Sequence, residues 1–267
     1  FGTVRVWNGA TWQYYSSQTS RFLRSVSGYS DTCAWAVGDL GTITRWTGSG
    51  FQLETSITSE NLYDVEAVSE NEAWAVGDGG TVLHRTAGGW EAVVDPNLPI
   101  DIDYRSIVMT ADEDIMIVGV DGVIMHYTSG VWNPLKSDAL GAPALYSLVL
   151  DPVSGNMVIA GERGKIITYD GMSFSSQITG TTDDVFIVRA DPAGMLWAGG
   201  SDGLVLMNTG MGWTPVFTGD TEDVRDMDFL PSGDIWTAGG SDDGSCVSWK
   251  VLHFDGGDWT PYGESGS

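Results

Sequence analysis

The sequence predicts an all-β fold of the β-propeller class, built of four-stranded antiparallel blades, on three observations. A segment of about forty residues recurs six times in full and once in half. Within each copy, short β-rich runs alternate with turn residues, and no 3.6-residue period persists. A glycine and an aromatic return at the same two places in every full copy.

The copies align on AWAVGDLGTITRW from Ala34, AWAVGDGGTVLHR from Ala73 and IMIVGVDGVIMHY from Ile115. They continue as MVIAGERGKIITY from Met157, LWAGGSDGLVLMN from Leu196 and IWTAGGSDDGSCVSWKVLHF from Ile235. The shared glycines, Gly38, Gly77, Gly119, Gly161, Gly200 and Gly239, lie 39, 42, 42, 39 and 39 residues apart. Each is followed by an aromatic: Phe51, Trp90, Trp132, Phe174, Trp213 and Trp259. The opening GTVRVWNGATW from Gly2 matches GTITRWTGSGF from Gly41 and supplies the half copy.

In the second copy, strand A is expected over Leu62–Val68, B over Ala73–Val76, C over Val82–Arg85 and D over Trp90–Val94. Such a unit buries its apolar faces only by stacking on its neighbours. One propeller domain over 1–267 is expected, with a hairpin at 1–15 and full repeats at about 22–54, 61–94, 103–135, 145–177, 184–217 and 223–262. Six blades are favoured, with seven as the alternative. Phe1 aligns with Leu40, inside a B–C turn, so the sequence reads as a mature or excised fragment.

Twelve basic residues face thirty-six acidic ones, a formal charge of −24. That field repels nucleic-acid phosphates and anionic membranes, and no apolar run is long enough for a membrane span. It suits extracytoplasmic water, a basic protein partner or divalent cations.

The W-A-V-G-D-x-G-T core followed by a turn and Trp resembles the propellers of the photosystem II assembly-factor type. These are related to the BNR, or Asp-box, repeats of sialidases. In that family the C–D turn carries an Asp that hydrogen-bonds the turn's own backbone. Here Asp170-Gly171 and Asp255-Gly256 keep the acid, Asn8-Gly9 approximates it, and Thr47-Gly48 and Thr209-Gly210 lack it. The sialidase link implies an arginine cluster, a nucleophilic Tyr and an acid/base pair. Tyrosines and acids recur as repeat features here, so no catalytic residue stands out. His84 and His126 share a strand-C position with Thr168 and Met207 and read as ordinary strand residues.

The most informative departure lies one residue into strand A, where the copies carry Arg24, Tyr63, Arg105, Tyr146, Phe186 and Arg225. Three of nine arginines in an acidic chain thus occupy equivalent places. Strand A is the innermost strand of a blade, which puts these side chains by one mouth of the central channel. They would stack on sugars and fork-bond carboxylates or phosphates. The competing reading packs them between blades, paired with acids such as Asp226.

Calcium is a second candidate ligand. The B–C turns carry Asp39, Asp78, Asp121, Glu162, Asp202 and Asp242, and the D–A links add Asp101, Asp103, Asp183, Asp184, Asp220, Glu222 and Asp223. Asp101, Asp103, Asp242 and Asp243 are the candidate calcium ligands. Against this, Asp-Gly is simply a favoured hairpin turn. Cys33 and Cys246 would clasp the first and last full repeats as a disulfide, although strand geometry sets them at opposite ends of strand B. Trp35, Trp74, Trp197 and Trp236 share one position, as do the D-strand aromatics, which points to core rather than sugar platforms. Trp249, at the end of the Gly240–Ser248 insertion, is the exception and a candidate partner or sugar contact.

The expected function is non-catalytic: a protein-docking propeller outside the cytoplasm, without an obligatory cofactor. A lectin-like carbohydrate binder is the first alternative and a glycosidase-like enzyme the second.

Overall fold

The structure, a computed structural model, describes residues 3–7, 11–111, 114–135, 141–240 and 250–262. The chain divides into two compact units, Phe1–Lys136 and Ser137–Ser267.

In the first unit, β1 (Thr3–Trp7) and β2 (Trp12–Ser16) form a separate two-stranded sheet. Blade 1 follows as β3 (Leu23–Ser30), β4 (Cys33–Gly38), β5 (Ile43–Trp46) and β6 (Phe51–Leu53). Blade 2 is β7 (Leu62–Ser69), β8 (Glu72–Gly77), β9 (Val82–Thr86) and β10 (Gly89–Ala92). Blade 3 is β11 (Tyr104–Ala111), β12 (Asp114–Gly119), β13 (Ile124–Thr128) and β14 (Val131–Pro134). The second unit holds blade 4, with β15 (Leu145–Leu150), β16 (Met157–Gly161), β17 (Lys165–Tyr169) and β18 (Phe174–Gln177). Blade 5 has β19 (Val185–Ala190), β20 (Leu196–Gly200), β21 (Val205–Asn208) and β22 (Trp213–Pro215). Blade 6 has β23 (Val224–Phe229), β24 (Ile235–Gly239), β25 (Lys250–Phe254) and β26 (Trp259–Pro261).

Every blade is four antiparallel strands hydrogen-bonded in chain order, A to D, so the described residues form six complete blades plus one hairpin. In blade 2 each strand lies within two residues of its expected bounds at either end.

Burial explains the pattern of each strand. Strand B of blade 5, β20, packs on blade 4 with one face and on blade 6 with the other, so it reads as an unbroken apolar run buried throughout. Strand D is an outer edge, and its first aromatic alone is buried in β6 and β22. Trp35, Trp90, Trp132 and Trp213 are all core residues. Burying each such ring contributes about 2–3 kcal/mol relative to exposure. The hairpin extends the stacking of the first unit: Tyr15 meets Trp46 edge-on at 4.8 Å, and Thr44 Oγ1 donates to Ser17 O at 3.0 Å.

The repeating glycine has a steric cause. Gly119 is fully extended (φ −167°), a conformation open to any residue. A Cβ there would collide with the carbonyl oxygen of Asp103 and sit 3.0 Å from both Asp103 C and Tyr104 Cα. The same collision, with the residue just before strand A, recurs at Gly38, Gly77, Gly161, Gly200 and Gly239. That carbonyl accepts the first N–H of the B–C turn, as in Val120 N to Asp103 O at 3.0 Å and Asp78 N to Asn61 O at 2.9 Å. Strand A must therefore press against the end of strand B, and only glycine leaves room.

Candidate functional site

Where strand A presses on the glycine, its register with strand B skips one residue. The skip falls between Leu23 and Ser25, Leu62 and Asp64, and Tyr104 and Ser106 in the first unit. In the second it falls between Leu145 and Ser147, Val185 and Ile187, and Val224 and Asp226. The skipped residues are Arg24, Tyr63, Arg105, Tyr146, Phe186 and Arg225. A bulge leaves one residue unpaired and re-aims its side chain, so the six positions singled out from the repeat are the six bulge residues.

In the first unit three of them form one layered cluster. The Arg105 guanidinium lies 3.8 Å from the Tyr63 ring centroid and that of Arg24 lies 5.1 Å from it. Both distances suit cation–π attraction, about 0.5–2 kcal/mol each. Each cation is also held by an acid. Arg24 Nε donates to Asp39 Oδ1 at 2.6 Å, and Arg105 donates to Asp103 Oδ2 at 3.1 Å with Asp78 Oδ1 at 4.0 Å. Burial pushes the Tyr63 phenol above its ordinary pKa; the Arg105 hydrogen bond pulls it down and the Asp78 carboxylate pushes it up. Tyr63 therefore stays neutral and serves as a hydrogen-bonding plate.

The second unit repeats the theme. Tyr146 and Phe186 meet at 5.6 Å, and the Arg225 guanidinium covers Phe186 at 4.0 Å. Arg225 pairs with Asp223 Oδ2 at 2.5 Å and remains half exposed. Asp226, suggested by the sequence as an example of a nearby acid, lies 3.6 Å from Arg189. The arginines do pair with acids, but with those of the turns and links beside them. The more exposed of these ion pairs, at Arg24 and Arg225, contribute little to stability, about 0–1 kcal/mol.

The acidic loops are largely spent on backbone. The side chain just before strand A reaches the preceding blade's B–C turn: Leu40 N donates to Asn61 Oδ1 at 3.0 Å and Gly79 N to Asp103 Oδ1 at 3.1 Å. Arg163 N donates to Asp184 Oδ1 at 2.9 Å and Asp202 N to Asp223 Oδ1 at 3.2 Å. These three carboxylates and the Asn61 amide clasp neighbouring blades. Asp103 is thereby committed to Gly79 and Arg105; Asp101 is exposed; Asp242 and Asp243 lie outside the described residues. Among the described residues no group of three or more His, Cys, Asp or Glu is placed to hold a metal ion.

The C–D turn acids do what their position implies. Asp170 Oδ1 accepts from Met172 N at 2.9 Å and Ser173 N at 2.7 Å, which holds its carboxyl below the usual range. Asp255 Oδ1 accepts from Gly257 N at 3.0 Å. Cys33 carries a free, fully buried thiol whose pKa burial pushes up, while Cys246 and Trp249 lie outside the described residues.

Two clusters escaped the sequence reading. Asp64, next to bulge residue Tyr63, accepts from Ser25 Oγ (2.7 Å) and Val65 N (2.9 Å) on one oxygen. On the other it accepts from Ser106 Oγ (2.8 Å) and Ile107 N (3.0 Å), tying strands A of blades 1, 2 and 3. Between blades 1 and 2, Glu54 accepts two hydrogen bonds from Arg85, at 2.8 and 2.9 Å, and one from Trp90 Nε1 at 2.7 Å. Burial opposes the Glu54 charge, but these bonds and the Arg85 charge outweigh it and lower its pKa. For Glu54 the available signal was an acid at a repeat position that is mostly apolar (Val93, Leu135, Val216). Asp64 stands where other copies carry Ser25, Ser106, Ser147 and Asp226, so the alignment did not single it out.

No family model matches the chain, and no curated protein resembles it in sequence. Solved structures do resemble it. YCF48 bound to D1 peptide is 20% identical with a TM-score of 0.69, over 91% of this chain and 82% of that one. YCF48 from Cyanidioschyzon merolae is 17% identical with a TM-score of 0.70, over 100% and 91%. The WD40 β-propeller domain of Doa1 is 15% identical with a TM-score of 0.71, over 91% and 84%. At these identities the likeness establishes the fold: the chain is a β-propeller.

Proposed function

We propose that this chain is a non-catalytic docking module for a polypeptide, engaged through the bulge residues at the entry of strand A. The observation that carries the reading is the layered Arg24–Tyr63–Arg105 cluster, with Arg225 on Phe186 as its counterpart in the second unit. Guanidiniums on aromatic plates are preorganised to fork onto a carboxylate, from a side chain or a chain terminus. The surrounding Asp and Glu side chains favour basic residues on either side of that carboxylate. A structural neighbour solved with a bound peptide supports a peptide as the ligand class. The charge of −24 further supports work outside the cytoplasm.

The test is selection from a displayed library of linear peptides, run beside a glycan array. Peptides carrying an acid among basic residues are expected. Arg225→Glu should weaken the best of them at least tenfold without lowering Tm, and 0.5 M salt should weaken them too. Tight multivalent binding to one sugar class with no peptide selected would overturn the reading, as would peptides indifferent to Arg24, Arg105 and Arg225 substitutions.

A further inference from the structure

Blades 1 and 2 show what fills the space between successive blades near the ends of strands B to D. Trp35 is fully buried there, with the guanidiniums of Arg45 and Arg85 lying 5.1 and 5.2 Å from its ring. Arg85 and Trp90 converge on Glu54. Strand registers assign each of these five residues an equivalent in blades 4 and 5. Trp35 pairs with Arg45 as Val158 pairs with Thr168, and Arg85 pairs with Trp90 as Asn208 pairs with Trp213. Gln177, three residues past Phe174, stands where Glu54 follows Phe51.

A large ring and two guanidiniums are thus replaced by an isopropyl group, a small hydroxyl side chain and a short amide. The result is a cleft of about 470 Å³, lined by Val158, Thr168, Gln177, Asn208 and Trp213 together. It lies at the end of the blades that carries the A–B and C–D turns, away from the arginine clusters. Trp213 is 8% exposed, and its indole N–H has no hydrogen-bond partner among the described residues. The matching N–H of Trp90 is satisfied by Glu54, whereas Gln177 turns its amide onto Thr168 Oγ1 at 3.0 Å. Unpartnered indoles recur at Trp132 and Trp259, so the cleft, not the N–H alone, marks the place.

We propose that this cleft is a socket for an indole side chain presented by a partner polypeptide, seated where Trp35 sits between blades 1 and 2. The lining has no basic residue, which disfavours a carboxylate or phosphate ligand. Val158, Met195 and Leu196 offer the apolar floor that a ring needs. Trp213 supplies a donor, and the Gln177 side-chain carbonyl supplies an acceptor for the indole N–H. Asn208 Oδ1 accepts from Gly210 N at 2.9 Å, which leaves its amide N–H groups as donors to the adjoining backbone.

The experiment uses N-acetyl-tryptophanamide as probe on the whole chain, read by ligand-observed NMR and calorimetry, beside N-acetyl-argininamide and methyl β-glucoside. Saturable binding of the tryptophan probe is expected, with Kd on the order of 1 mM. Val158→Trp, which fills the cleft from within, should weaken it at least tenfold and raise Tm. Asn208→Arg, restoring the guanidinium of Arg85, should weaken it similarly if the first variant fails to fold. Arg225→Glu should leave it unchanged, which separates this site from the proposed docking clusters. Equal binding to wild type and both cleft variants would overturn the proposal, as would preference for the arginine or glucoside probe, or no saturable binding.

Discussion

The glycine at the end of each strand B should be irreplaceable for want of space, and Gly119→Ala tests this. Its new Cβ would meet the Asp103 carbonyl oxygen far inside van der Waals contact, with Asp103 C and Tyr104 Cα at 3.0 Å. Those atoms are backbone, so the strain is relieved only by moving the start of strand A. Moving it breaks Val120 N to Asp103 O and disturbs the Asp103 clasp to Gly79, two hydrogen bonds contributing about 1 kcal/mol each. It also unseats Tyr104, which is fully buried, at an overpacking cost of about 1–3 kcal/mol. The sum is about 3–5 kcal/mol. The control is Gly130→Ala in the same blade, where φ is +80° and a Cβ meets nothing within 4 Å. Only the left-handed backbone is penalised there, by about 1 kcal/mol. Urea unfolding followed by tryptophan fluorescence measures both. Because Arg105 is the bulge residue two positions after Asp103, Gly119→Ala should also weaken peptide binding, and Gly130→Ala should not. Equal costs for the two variants would refute the steric account of the repeat.

Two further outcomes follow from the buried polar clusters. Glu54→Gln should lower stability at pH 7 by about 1–3 kcal/mol, since Arg85 and Trp90 lose a charged acceptor. The folded-state pKa of Glu54 lies below its unfolded value, so its contribution is full above the ordinary glutamate range and fades as pH falls through the folded value. Chemical denaturation from pH 7 down to pH 3 should show that fading in the wild type and a flatter dependence in Glu54→Gln. Asp64→Asn should cost about 2–3 kcal/mol in the same assay, because an amide nitrogen then faces donors from Ser25, Ser106 or Ile107 that need an acceptor. Wild-type stability in that variant would show the node to be redundant.

The fold was legible because a blade is a local object. Four short strands joined by tight turns leave their periodicity, their Asp-Gly turns and their one obligatory glycine in consecutive residues, and six copies reinforce one another. The equivalence of Arg24, Tyr63, Arg105, Tyr146, Phe186 and Arg225 was legible for the same reason, since alignment of repeats needs no coordinates. Why that position matters was not. The bulge arises from the approach of strand A to strand B, about fifteen residues apart in sequence, and leaves no mark on composition. Pairing of these arginines with nearby acids was legible too, but not which acids: Arg225 meets Asp223 and Arg24 meets Asp39, as the bulge directs them.

What the sequence determined by itself was the repeat unit, its strand order and the identity of each layer within a blade. These depend on side-chain alternation and turn chemistry along a single stretch of chain. Tertiary structure alone decided which residues meet across blades: Glu54 with Arg85, Asp64 with Ser25 and Ser106, Val158 with Trp213 across a cleft. Those contacts join residues from about thirty to fifty-five positions apart, and what stands opposite any side chain is set by how two blades stack. A valine in place of tryptophan is only a conservative apolar change in the alignment. It becomes a cavity once the neighbouring blade fails to fill the space.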